Sequence, residues 1–106
     1  MERIQVEIGL RIAQVREMRS KKLFAESIGT TPQNLLYIEA GAINTTVGII
    51  AKICSIYNIN ANWLLFGVGE MNMLEAIKAQ KRYELLERLV YIQDEFATYK
   101  ARETKY

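Results

Sequence analysis

The chain has 106 residues, half of them hydrophobic and a quarter charged, a balance that fits one globular domain and excludes wholesale disorder. No run approaches the roughly 20 apolar residues of a membrane span, and the charged opening MERIQVEIGLRI reads as no signal peptide, so the expected compartment is the cytoplasm. A single cysteine, Cys54, excludes an internal disulfide and a cysteine-based zinc site, and the absence of histidine excludes imidazole metal ligation and histidine-dependent nucleophilic catalysis.

The formal net charge of +2 is unevenly placed. Residues 1–69 carry seven bases (Arg3, Arg11, Arg16, Arg19, Lys21, Lys22, Lys52) against five glutamates, whereas residues 70–106 balance seven against seven. Four of the bases fall within Arg16–Lys22. Such a patch is either an electrostatic footprint for nucleic acid or a solvated helix end, where Arg16 and Arg19 complement the carbonyl pole.

Helical spacing runs through the chain, with no sustained alternation and no hairpin turn to suggest strands. Ile4, Ile8, Ile12 and Val15 form the apolar stripe of a first helix, which Gly9 weakens by about 1 kcal/mol relative to alanine. Ser20 is placed to cap a second helix with Leu23, Phe24 and Ile28 on its inner side, and Gly29 to end it. Thr31 caps a third helix with Pro32 at its first position, where a missing N–H costs nothing. Leu35 and Ile38 are its buried side, and Gly41 its end. Thr46 caps a fourth helix with Ile49, Ile50, Ile53 and Ile56 inside; Asn58–Asn60 break it, and Ala61–Phe66 form a short fifth. Gly67-Val68-Gly69 marks the expected domain boundary, at 69/70.

Beyond it glycine and proline vanish. Leu85, Leu89, Ile92, Phe96 and Tyr99 are spaced 4, 3, 4, 3, the seam of a coiled coil. The expected fold is therefore all-α: a five-helix bundle over 1–69, then an amphipathic helical segment over 70–106. Self-association through the seam, giving a homodimer, is one reading of that segment; folding back onto the domain is the other.

A tight turn, Gly29-Thr30-Thr31, joins the second and third helices, as in a helix-turn-helix. The stretch from Ile8 to Met71 resembles the Cro/repressor-type (XRE-like, lambda-repressor-like) family of transcriptional regulators. The resemblance is carried by Arg11-Ile12, Val15-Arg16, Phe24-Ala25-Glu26-Ser27-Ile28-Gly29, Leu35, Ile38-Glu39, Gly41, Ile50-Ala51-Lys52-Ile53 and Asn62-Trp63-Leu64-Leu65-Phe66-Gly67. Ala25 then lies where two helices approach closely, Trp63 and Leu64 plug the base of the bundle, and Cys54 is a small core residue. Glu39 reads as a helix-end or ion-pair residue.

The resemblance implies that 1–69 binds double-stranded DNA and that Thr31–Ala40 is the recognition helix. Thr31, Pro32, Gln33, Leu36 and Tyr37 would face the bases. Gln33 can pair with an adenine edge, Leu36 or Tyr37 can meet a thymine methyl, and Tyr37 can instead reach a phosphate. Arg16, Arg19, Lys21, Lys22, Asn34, Asn44, Thr45 and Thr46 are the expected phosphate contacts. The leading reading is a dimeric repressor on a palindromic operator. The alternative is a protein-interaction module such as an antitoxin, with the helix-turn-helix as scaffold, which the lack of Arg or Lys on the third helix favours. No catalytic residue, cofactor or metal is expected: no carboxylate pair is placed for acid–base work, and no glycine-rich phosphate loop follows a strand.

Overall fold

The computed structural model describes the backbone of residues 2–103 and the side chains of residues 2–91. It contains six helices: α1 (Arg3–Arg16), α2 (Lys21–Ser27), α3 (Pro32–Glu39), α4 (Val47–Tyr57), α5 (Ala61–Phe66) and α6 (Met73–Glu103). Among the described residues there is no strand beyond an isolated antiparallel bridge between Ile59 and Asn72. The chain is all-α, as expected.

Side-chain caps start four of these helices by accepting N–H groups that the first turn leaves unpaired. Ser20 accepts from Leu23 N, Thr31 Oγ1 from Asn34 N at 3.1 Å, Thr46 Oγ1 from Ile49 N at 3.2 Å and Asn60 Oδ1 from Asn62 N at 3.2 Å. At the end of α2, Gly29 takes φ = +75°, and its N–H and that of Thr30 return to Glu26 O (3.2 Å) and Ala25 O (2.9 Å). This paired return satisfies two terminal carbonyls and turns the chain towards α3.

The core is a cluster of Ile12, Val15, Phe24, Ala25, Ile28, Leu35, Ile38, Ile53, Ile59 and Leu64. Ile8, Ile49, Ile50, Cys54, Tyr57 and Trp63 pack against it while remaining partly exposed. Three expected inner positions turn outward: Ile4, Leu23 and Ile56 are exposed. Their helices bury neighbours instead: Phe24 and Ala25 serve α2, and Ile53, Cys54 and Tyr57 serve α4.

Gly9 is required where it sits. It is buried against the end of α3, and a Cβ there would strike Ile38 O and lie 2.8 Å from Glu39 O. The backbones of α1 and α3 thus approach too closely for any side chain, which explains a residue that weakens α1 in isolation.

The chain divides into two compact units, Met1–Met73 and Leu74–Tyr106. The first runs past the expected boundary at 69/70 because its last residues are tied back by backbone bonds. Asn60 N donates to Met71 O and Met73 N to Asn58 O, each at 2.8 Å, and Asn60 Nδ2 donates to Glu70 O at 3.0 Å. The second unit is the body of α6, 31 residues long in all.

Candidate nucleic-acid interface

The inward face of α3 is set by Leu35 and Ile38, both essentially inaccessible. That phase leaves Pro32, Gln33, Asn34, Leu36, Tyr37 and Ala40 at the surface, with Leu36 45% and Tyr37 44% exposed. Thr31, at the N-cap, is exposed as well. The five residues expected to face bases therefore share the solvent side of one short helix. Two polar groups there also have partners within the chain: Thr31 Oγ1 accepts the capping bond, and Asn34 Nδ2 donates to Thr30 Oγ1 at 3.0 Å.

The rear of α3 is fastened to α1 by charge as well as by close packing. Arg16 Nε donates to Glu39 Oε1 at 2.6 Å, with the two side chains only 17% and 9% exposed. The Arg16 Nη1 group also lies within reach of Glu17 O (3.4 Å) and Arg19 O (3.3 Å). Arg16 is thus an internal tie: its guanidinium is committed to a nearly buried carboxylate rather than standing as a free surface cation. Glu39 is the ion-pair residue anticipated.

Arg19 is held differently. Its guanidinium stacks over the Tyr57 ring, 4.7 Å from the centroid, and Nη1 donates to Val15 O. Tyr57 is fixed by Phe24, ring centroids 5.0 Å apart, and by a 2.6 Å hydrogen bond between its hydroxyl and Ser27 Oγ. Arg19 as a whole stays exposed, as do Lys21 and Lys22 at the start of α2. On the far side of α3, Asn44 Oδ1 accepts from Gln5 Nε2, Thr45 is half-buried and Thr46 caps α4.

A helix-turn-helix family model matches residues 12–64 of the chain, the stretch that contains α2, its turn and α3. The chain belongs to the XRE-type helix-turn-helix family of DNA-binding regulators. No curated protein and no solved structure matches it.

In this helix-turn-helix regulator, α3 occupies the position of the recognition helix and α2 that of the helix crossing the DNA backbone. The family is one of DNA-binding domains rather than enzymes. Among the described residues no helix is long and apolar enough to cross a membrane, and no group of acidic or cysteine side chains could hold a metal.

Two structural residues of the domain escaped the sequence analysis. Arg11 Nε donates to Leu64 O at 2.7 Å and Nη2 to Leu65 O at 3.0 Å, capping the carbonyl end of α5 from α1. Nothing local marks this pairing, because its partners are backbone atoms more than fifty residues away. Tyr57 was missed as the support beneath Arg19; an aromatic four residues after Ile53 was the available signal.

The expected dimerisation seam is described only in part. Leu85 and Leu89 are 58% and 56% exposed, and Leu86 and Val90 beside them are exposed too. The side chains of Ile92, Phe96 and Tyr99 lie outside the described residues.

Proposed function

We propose that this regulator is a homodimer that represses transcription by occupying a two-fold-symmetric operator. The observation that carries the reading is the row of exposed apolar side chains on α6, from Leu85 to Val90, in register with Ile92, Phe96 and Tyr99. A single small DNA-binding module buries only about 600–1,000 Å² of protein surface on DNA, too little for tight specific binding. A pair joined through α6 would supply the two recognition helices that successive half-sites, about 34–36 Å or one turn of the duplex apart, require. A palindromic site follows from the two-fold axis of such a pair.

In this reading Thr31, Pro32, Gln33, Leu36 and Tyr37 face base edges. Arg19, Lys21 and Lys22 supply the cations for phosphate, with polar contacts from Asn34, Asn44, Thr45 and Thr46. A threonine hydroxyl that accepts a capping bond keeps its own proton to donate, so the cap at Thr46 is compatible with that role. Such a protein acts in the compartment that holds the chromosome.

The deciding experiment selects binders from random and genomic duplexes at two salt concentrations, alongside sedimentation of the free protein. A dimer and an enriched symmetric sequence are expected. A monomer that enriches only a half-site removes the dimer and the palindrome.

The second reading, an interaction module of the antitoxin kind, is favoured by one observation: the exposed face of α3 has no Arg or Lys, the usual partners of guanine. It predicts stable co-purification with an unrelated protein bound to α6 and no duplex binding even at low salt.

A further inference from the structure

The exposed face of α3 has an unusual chemistry for a surface that meets a polyanion. Pro32, Leu36, Tyr37 and Ala40 present hydrocarbon, and Leu36 and Tyr37 remain nearly half exposed. The Asn34 amide N–H is directed to Thr30, and Thr31 Oγ1 accepts the capping bond. The polar groups that remain for base recognition along α3 are the Gln33 amide, the Tyr37 hydroxyl, the second N–H and the Oδ1 of Asn34, and the Thr31 hydroxyl proton.

The major groove offers such a face a single apolar partner, the C5 methyl of thymine. Guanine presents two acceptors there and is read best by two parallel donors from Arg or Lys, which α3 lacks. Adenine presents one acceptor and one donor, the complement of a glutamine amide. Apolar side chains laid against the polar edge of a G·C pair would instead strip water from it without replacing its hydrogen bonds.

We infer that α3 reads A·T-rich half-sites, Leu36 and the Tyr37 ring packing on thymine methyl groups and Gln33 pairing with adenine, with no guanine contact from this helix. The inference rests on the DNA-binding reading above and names the class of site it takes. Specificity then comes from a hydrophobic contact with the duplex, and affinity from charges placed elsewhere, at Arg19, Lys21 and Lys22.

The probe is the best duplex recovered from a random library by the full-length protein, remade with deoxyuridine in place of each thymidine in turn. The exchange removes one methyl and leaves every hydrogen-bonding group in place. Each contacted thymine should lose about fourfold in affinity, the worth of one buried methyl-sized group. In Leu36→Ala, at an exposed position, thymidine and deoxyuridine duplexes should bind alike at the positions Leu36 covers, with the salt dependence unchanged. An enriched site that tolerates deoxyuridine throughout, or one whose conserved core is G·C, overturns the methyl reading and leaves DNA recognition standing. No binding to any duplex at low salt overturns both, and turns the apolar face of α3 into a surface for protein.

Discussion

At Gly9 a single hydrogen in place of a methyl group decides how closely two helices pass. Alanine is the better helix former by about 1 kcal/mol, yet Gly9→Ala should destabilise the protein by about 1–3 kcal/mol, because its Cβ meets backbone carbonyls of α3 that no rotamer change can move. Urea denaturation measures this directly; a more stable variant would mean that α1 and α3 can separate without loss. Arg16→Ala leaves the Glu39 carboxylate, 9% exposed, without its cation. The expected loss is about 2 kcal/mol, with the salt dependence of DNA binding unchanged, and a reduced slope would return Arg16 to the phosphate contacts. Cys54 belongs to the same scale: burial raises its thiol pKa. Its alkylation by iodoacetamide at pH 8 should be slower in the folded protein than in the unfolded chain. The folded state holds the thiol proton more tightly. The associated stability is therefore fully present below the ordinary thiol range and is lost as pH climbs through the raised folded value.

At the scale of elements, α2 carries the charges and α3 the shape. Replacing both Lys21 and Lys22 by alanine should lower the slope of log affinity against log salt by about 1.8, roughly 0.9 for each phosphate released. Binding should weaken on all sequences alike, and an unchanged slope would remove both lysines from the interface. Both residues are exposed, so the fold should not respond. Much of this architecture was legible in the sequence because helix ends have local chemistry. Ser20, Thr31 and Thr46 cap the helices they were expected to cap, Gly29 turns the chain with a positive φ, and α5 runs from Ala61 to Phe66 as read. The outward face of α3 was legible too, since Leu35 and Ile38 fix its phase and the other positions follow. What eluded the reading is non-local. Periodicity assigns a residue to a face but not to a depth, so Ile4, Leu23 and Ile56 read as core and are exposed. The glycines at 67 and 69 suggested a boundary, while the bonds that carry the first unit to Met73 run between backbone atoms that no side chain announces. Arg16 stood among surface cations until Glu39, twenty-three residues away, was seen beside it.

At the scale of the whole molecule, α6 is where the dimer hypothesis stands or falls. Introducing Leu85→Glu and Leu89→Glu places charge on a seam that is already exposed, so the helix-turn-helix unit should keep its stability while a dimer dissociates. Sedimentation velocity reads the first result, and the loss of affinity for a two-fold site relative to a half-site reads the second. A doubly substituted protein that still sediments as a dimer would locate the contact elsewhere. The fastening of α3 has a separate consequence for how such a regulator changes its target. Gly9 and Arg16 hold the helix from behind, through Ile38 and Glu39, while Pro32, Gln33, Leu36 and Tyr37 share no hydrogen bond with that anchorage. If the front of α3 carries the address proposed for it, that address is rewritable: new side chains at those four positions would alter what the protein recognises and leave the mounting that holds the helix intact.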